Sequence, residues 1–220
     1  MATRTVEDYL KAIFSEQQRN QGAMVPMGAL AAAMRVAPGT ATAMVKTLAE
    51  SGLVEYEPRG GVKLTGKGEK LALHVVRRHR LVELFLVETL KLDWSEVDEE
   101  AEELEHAISE KVLAKIDELL DFPEVDPHGD PIPSSAGKLT KRRLASLMDC
   151  PINHKLRVAR VLDQDARFLQ FVDKASLKPG AELTVKTRDP SADAVSVTPK
   201  NRPTLTLGSA SAAKILVEEI

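Results

Sequence analysis

Cysteine is nearly absent from this chain: Cys150 is the one thiol in 220 residues, so no internal disulfide can form and a reducing compartment is expected. Aromatic residues are sparse at 4%, with a single Trp. No apolar run approaches the roughly 18 residues of a membrane helix, and the N-terminus lacks the apolar core of a signal peptide. These absences exclude a transmembrane helix, so no membrane partner and a cytoplasmic location are expected. Excess positive charge is also missing. Thirty basic residues against 33 acidic ones give a net charge of −3, so the whole chain is not a polycation. Nucleic acid is not thereby excluded, because basic residues crowd 59–80 and 138–160 while acidic ones crowd 93–126. Hydrophobic content of 43% and charged content of 29% are ordinary for a globular protein, long enough for one large domain or two to three small ones.

The stretch from His79 to His106 is the richest in chemistry. His79 and Glu83 are four apart and share one face of a helix. Glu102, Glu105 and His106 follow the same helical spacing, with Asp98 one turn earlier. Carboxylates and imidazoles stacked this closely repel, or trap a proton, unless a cation sits between them. Nitrogen and oxygen donors without thiolate suit Mn2+, Fe2+, Co2+ or Zn2+. A solvated acidic helix face is the competing reading of any one such pair. Two sets joined by an amphipathic helix favour metal.

Along the chain, 5–18 reads as a helix capped by Thr5, with Leu10, Ile13 and Phe14 on its apolar face. Asp8 in its first turn would also suit the helix dipole without any metal. A short helix follows Pro26, and a second runs from Thr40 to about Ser51, ended by Gly52. Strands at 53–56 and 62–65 flank a hairpin tip at Pro58–Gly61, completing a winged helix-turn-helix. Pro38, Gly39, Thr40, Thr42 and Ala43 are small enough to let a helix N-terminus enter a major groove. Lys46, Arg59 and Lys63 would add phosphate contacts. Protein docking is the alternative use of such a module; the hydroxyl-rich helix start and Arg59 at the wing tip favour DNA.

Helices are then expected at 65–90, capped by Thr65, at 96–108, and after Ser109, where Val112, Leu113, Ile116, Leu119 and Leu120 would form a buried stripe. This is more apolar surface than one small core needs, which suggests a dimer interface. Four prolines and two glycines in 121–138 rule out helix there and mark a linker. Five short alternating segments, at 156–161, 183–186, 194–197, 205–207 and 215–217, make a small β-barrel.

Taken together, the chain resembles the diphtheria-toxin-repressor family of metal-dependent transcriptional repressors, including its manganese-transport-regulator branch. The likeness rests on Val6–Leu10, Ala41–Val54, Leu64–Gly68, His79–Glu83, Glu102-x-x-Glu105-His106 and His128–Pro133, and so covers essentially the whole length. The resemblance implies a mainly α fold with a small β part. Its parts would be a winged helix-turn-helix in 1–73, a helical metal-binding and dimerisation domain with a Pro-rich linker in 74–138, and an SH3-like domain in 139–220. It implies one metal site from Asp8, Glu102, Glu105 and His106. A second would use His79, Glu83 and Asp98, with oxygen donors from the C-terminal domain, nearest among them Asp163, Asp165 and Gln170. Glu105 is open to either site.

Iron-favouring members of the family carry a cysteine at the position of Glu102 and a methionine at that of Asp8. The harder donors here point to Mn2+, with Fe2+ as the alternative and Co2+, Ni2+, Zn2+ or Cd2+ as in vitro substitutes. Short manganese-specific members carry an acidic residue where this chain has Lys11, so their paired-metal geometry is not expected to be copied. The partners implied are a second copy of the chain, divalent metal and a palindromic double-stranded DNA operator. A metal hydrolase lacks a visible nucleophile, and a metal-storage or chaperone protein would leave Thr40, Lys46 and Arg59 without a purpose. No enzyme activity is expected.

Overall fold

Thr3, not Thr5, caps the first helix. Its side chain accepts from the Val6 amide at 3.4 Å, and α1 runs Arg4–Arg19. The earlier start moves Asp8 out of the first turn, where Glu7 takes the place at the dipole and pairs with Arg78 at 3.0 Å. In the computed structural model residues 3–20, 22–140 and 142–220 are described. The chain divides into two units, Met1–His79 with Pro133–Leu139, and Arg80–Ile132 with Thr140–Ile220.

In the first unit, α2 (Met27–Ala33) opens at Pro26 and α3 (Pro38–Glu50) begins two residues before the expected Thr40. Pro38 fits that first helical position because its missing N–H would have had no partner there. Strands β1 (Val54–Glu57) and β2 (Gly61–Leu64) pair antiparallel with Val54 opposite Leu64, and Arg59 stands at the hairpin tip. Val25 exchanges backbone hydrogen bonds with Val62, which brings Gly61 against it; a Cβ on Gly61 would lie 2.4 Å from the Val25 carbonyl oxygen. Gln17 Oε1 accepts from the buried Leu64 amide at 3.1 Å. Leu10, Ile13, Leu30, Val45, Leu48 and Val62 fill the core, each such burial being worth about 1.5–3 kcal/mol. This unit is a winged helix-turn-helix.

Helix α4 (Gly66–Glu88) starts where Thr65 Oγ1 accepts from the Gly68 amide, and the chain passes from one unit to the other within it. The second unit continues with α5 (Val97–Glu105) and α6 (Glu110–Leu119), the latter capped by Ser109. On α6, Leu113 and Ile116 pack with Leu81 and Ile132. Val112 and Leu119, expected in the buried stripe, are instead 49% and 64% exposed. Seven residues apart, they share a face beside the narrower Leu113–Ile116 stripe.

The proline-rich stretch contains no helix, but it is more than a connector. Asp126, His128, Asp130 and Ile132 are buried, the Ile132 amide donates to Glu124 O, and Arg80 donates to Pro131 O. After it comes a six-stranded antiparallel sheet in the order β3-β8-β4-β5-β6-β7. All five expected strands are present as β4 (Leu156–Val161), β5 (Glu182–Asp189), β6 (Ala194–Pro199), β7 (Leu205–Gly208) and β8 (Ile215–Glu219). Strand β3 (Ala145–Ser146) and helices α7 (Ala166–Lys174) and α8 (Ser209–Ala212) are additions, each short. Helix α7 forms because Asp165 caps it and Leu169 and Val172, three apart, enter the core. Among the described residues, no helix is long and apolar enough to cross a membrane.

Candidate metal centre

Helix α5 carries the first cluster. Glu105 is fully buried near the helix end, and His106 is the residue that terminates it, still in a helical conformation. Glu102, Glu105 and His106 each offer a ligand atom, and these atoms lie within 4.8 Å of one another. His106 Nε2 is 3.3 Å from Glu105 Oε1. Asp98 lies in the first turn of α5, exposed, and within 4.8 Å of Glu83 by the same measure.

The other two expected ligands lie in the first unit, Asp8 on α1 and His79 on α4, both half-buried. Lys11 Nζ stands 3.5 Å from His79 Nδ1. An ammonium can only donate, so Nδ1 accepts and the proton of the neutral ring goes to Nε2. His79 nonetheless counts among the residues that offer a ligand atom to a metal.

A second cluster was not anticipated. Glu83, Asp126 and His128 are all buried, with ligand atoms within 4.8 Å of one another. His128 Nε2 donates to the Trp94 carbonyl at 2.9 Å, which leaves Nδ1 facing Glu83 Oε1 at 3.7 Å and Asp126 Oδ1 at 4.0 Å. The His128 ring stacks on Trp94, their centroids 5.4 Å apart. Asp126 Oδ1 accepts from the amides of His128 and Asp130, at 2.8 and 2.9 Å. Neither Asp126 Oδ2 nor His128 Nδ1 has a hydrogen-bond partner among the described residues. Burial pushes the Asp126 carboxyl well above its usual range, the Asp130 and Glu83 carboxylates push the same way, and Arg80, 3.6 Å from it, opposes them.

Two buried carboxylates and one buried imidazole with converging ligand atoms are an arrangement that a divalent cation satisfies. The donor chemistry therefore fits the group that the sequence pattern implies. Sequence reasoning missed Asp126 and His128 because they lie in a stretch that reads as a linker. The signal was there as Asp126-Pro-His128-Gly-Asp130, three ionisable residues within five.

Two of the donors expected from the C-terminal domain, Asp163 and Asp165, have partners of their own. Asp165 caps α7 through the Arg167 and Phe168 amides, Asp163 pairs with Lys214 at 2.6 Å, and Gln170 is exposed on α7. Among the described residues, neither Asp163 nor Asp165 belongs to a carboxylate–imidazole cluster.

In the first unit, Pro38, Gly39, Thr40, Ala43 and Lys46 are exposed on α3, as is Arg59 on the wing. Thr42 Oγ1 donates back to Pro38 O at 2.8 Å and keeps its lone pairs for a donor. Arg59 has φ 70°, a conformation that sets the hairpin tip.

Comparison with known proteins accounts for nearly the whole chain. The N-terminal DNA-binding domain of the iron dependent repressor family matches residues 1–62, the family's metal-binding and dimerisation domain 65–134, and the FeoA domain 145–219. A solved manganese-dependent transcriptional repressor in complex with manganese is 38% identical, with a TM-score of 0.87 over 98% of this chain and 100% of that one. The diphtheria toxin repressor of Corynebacterium efficiens is 30% identical over 82% of both chains. The iron-dependent repressor IdeR of Mycobacterium leprae is 27% identical over 98% of this chain and 97% of its own. The three parts of the fold are thus a helix-turn-helix DNA-binding domain, a helical dimerisation domain and an SH3-like FeoA domain. The chain belongs to the diphtheria-toxin-repressor and manganese-transport-regulator family of metal-dependent transcriptional repressors.

Proposed function

We propose that this repressor answers to Mn2+ and binds a palindromic operator as a homodimer, with 1–73 contacting DNA, 74–138 holding metal and the dimer contact, and 139–220 forming the SH3-like part. The observation that carries the metal reading is the donor set. Carboxylates and imidazoles make up every cluster among the described residues, and the one thiol, on Cys150, is buried elsewhere. Fe2+ is the alternative, since relatives named for iron and for manganese are both similar to this chain.

One cation would be held by Glu102, Glu105 and His106 with Asp8, the set that the family resemblance supplies. The other would be held by Glu83, Asp126 and His128. His79, Asp98 and the C-terminal oxygens remain candidates on the sequence pattern. A bound cation supplies positive charge that lets buried carboxylates stay ionised side by side. Without it, the chain's own groups repel or must take up protons. A cation joining Asp8 to the α5 cluster would favour one arrangement of the DNA-binding region over others, a population shift set by differential affinity. Asp8 and Glu105 are then donors, while Pro38, Gly39, Thr40, Thr42, Ala43, Lys46 and Arg59 form the DNA face.

The dimer contact is assigned to the apolar side of α6, where Val112 and Leu119 are exposed. Electron paramagnetic resonance of Mn2+ tests the metal assignment by counting bound ions. Glu102→Ala and His128→Ala should each remove a different equivalent. If neither substitution changes the count, the ligand sets are wrong.

A further inference from the structure

The Glu83–Asp126–His128 cluster is shaped from outside by the sheet, through a residue that is no ligand. The two donors on the 124–132 loop, Asp126 and His128, lie on a turn closed by Asp130. The Asp130 amide donates to Asp126 Oδ1 and the Asp126 amide donates to Asp130 O at 3.0 Å. This turn rests on β4: the Val161 amide donates to His128 O at 2.9 Å, and Gly129, at φ +84°, lies so close that a Cβ there would meet the Ala159 carbonyl oxygen at 2.0 Å. The Asp130 side chain, 6% exposed, is gripped by Arg80, Arg160 and Gln164, the last donating to Oδ2 at 3.2 Å. Arg160 and Gln164 belong to β4 and the turn after it.

Strand β4 is built to present that arginine. Leu156 and Val158 point into the core, and strict alternation would send Arg160 there too. A β-bulge between Val158 and Arg160 in the pairing with β8 resets the alternation, so that Val161 enters the core and Arg160 turns to the loop. Re-aiming one side chain is what a bulge does at functional sites.

We propose that Arg160 and Gln164 are positioning residues for this metal cluster. By clamping Asp130 they fix the turn that aims Asp126 Oδ2 and His128 Nδ1, so the FeoA domain sets metal affinity without donating a ligand from this strand. The inference rests on the Glu83–Asp126–His128 cluster being a metal site. Outer partners of this kind typically change metal affinity about 10–100-fold.

Trp94, the only tryptophan and stacked on His128, reports this site in the full-length chain. Co2+, which quenches indole fluorescence, is titrated into wild type, Arg160→Ala, Arg160→Lys, Gln164→Ala and His128→Ala. The half-quenching concentration should rise about tenfold or more in Arg160→Ala, less in Gln164→Ala, and return most of the way in Arg160→Lys, with His128→Ala showing no saturable phase. If Arg160→Ala does not fold, Gln164→Ala and Arg160→Lys carry the test. Half-points within twofold of wild type in the folded clamp variants, alongside a silent His128→Ala, would overturn the positioning role and leave the site standing. A His128→Ala titration identical to wild type would remove the site reading, and the clamp with it.

Discussion

His128 Nδ1 faces Glu83 Oε1 across 3.7 Å, with both side chains 1% exposed. A buried lone pair set against a buried carboxylate is tolerable only with a proton or a cation between them. His128→Ala should therefore weaken Mn2+ binding at this cluster by more than about tenfold. Glu102→Ala should leave the Trp94 signal intact while weakening the other site. Isothermal titration of both variants separates the two.

The same burial gives a pH dependence. The Asp126 carboxyl is held well above its usual range, chiefly by desolvation and then by the Asp130 and Glu83 carboxylates. Folding without metal thus shifts this carboxyl toward its protonated form relative to an exposed carboxylate. Its contribution to stability is present in full at low pH and is lost as pH rises through the raised value, where a buried carboxylate must ionise. A cation offsets that cost. The rise in melting temperature on adding Mn2+ should accordingly grow as pH rises above the usual carboxylate range, and Asp126→Asn should flatten the trend. Thermal melts at rising pH, with and without Mn2+, check it.

Gly129 cannot take a side chain. Its φ is +84°, and a Cβ there would lie 2.0 Å from the Ala159 carbonyl oxygen, which leaves no room. Gly129→Ala should cost about 2 kcal/mol or more in urea unfolding, a larger loss than Gly137→Ala, where φ is positive but the space is open.

On the DNA side, Arg59→Ala should weaken binding to all sequences alike and reduce the slope of log K against log salt by about one. Thr40→Val should change the preference among operators more than the salt slope, because it alters the helix start and not a phosphate charge.

For assembly, Leu119→Glu places a charge on the exposed apolar side of α6. Sedimentation equilibrium should show a weaker dimer, with the fold of each chain intact by circular dichroism.

Helix and strand periodicity made most of the architecture legible. Apolar residues at helical spacing gave α1, α3, α4 and α6, and alternation gave the hairpin and five strands of the sheet. Helix starts slipped where two caps competed, as with Thr3 and Thr5, or where proline extended a helix backward, as at Pro38. Helix α7 was hidden because nine residues show too few turns for a period to stand out. At the metal centre, the i, i+3, i+4 spacing exposed Glu102, Glu105 and His106. Asp126 and His128 are brought together by a turn with no periodicity at all, held by contacts to β4 that lie some thirty residues on. Lys11 was legible as a departure, but its contact with His79 required the fold.

Metal-gated DNA binding is the central claim, and fluorescence anisotropy with an operator fragment selected from random DNA tests it directly. The full-length chain is titrated with Mn2+, anaerobic Fe2+, Co2+ and Zn2+ against a chelator control. Binding should appear only with metal, at Mn2+ concentrations within the cellular range, and should be lost in Glu102→Ala. Equal affinity in chelator would contradict the account, because the carboxylate–imidazole clusters would then not be the switch.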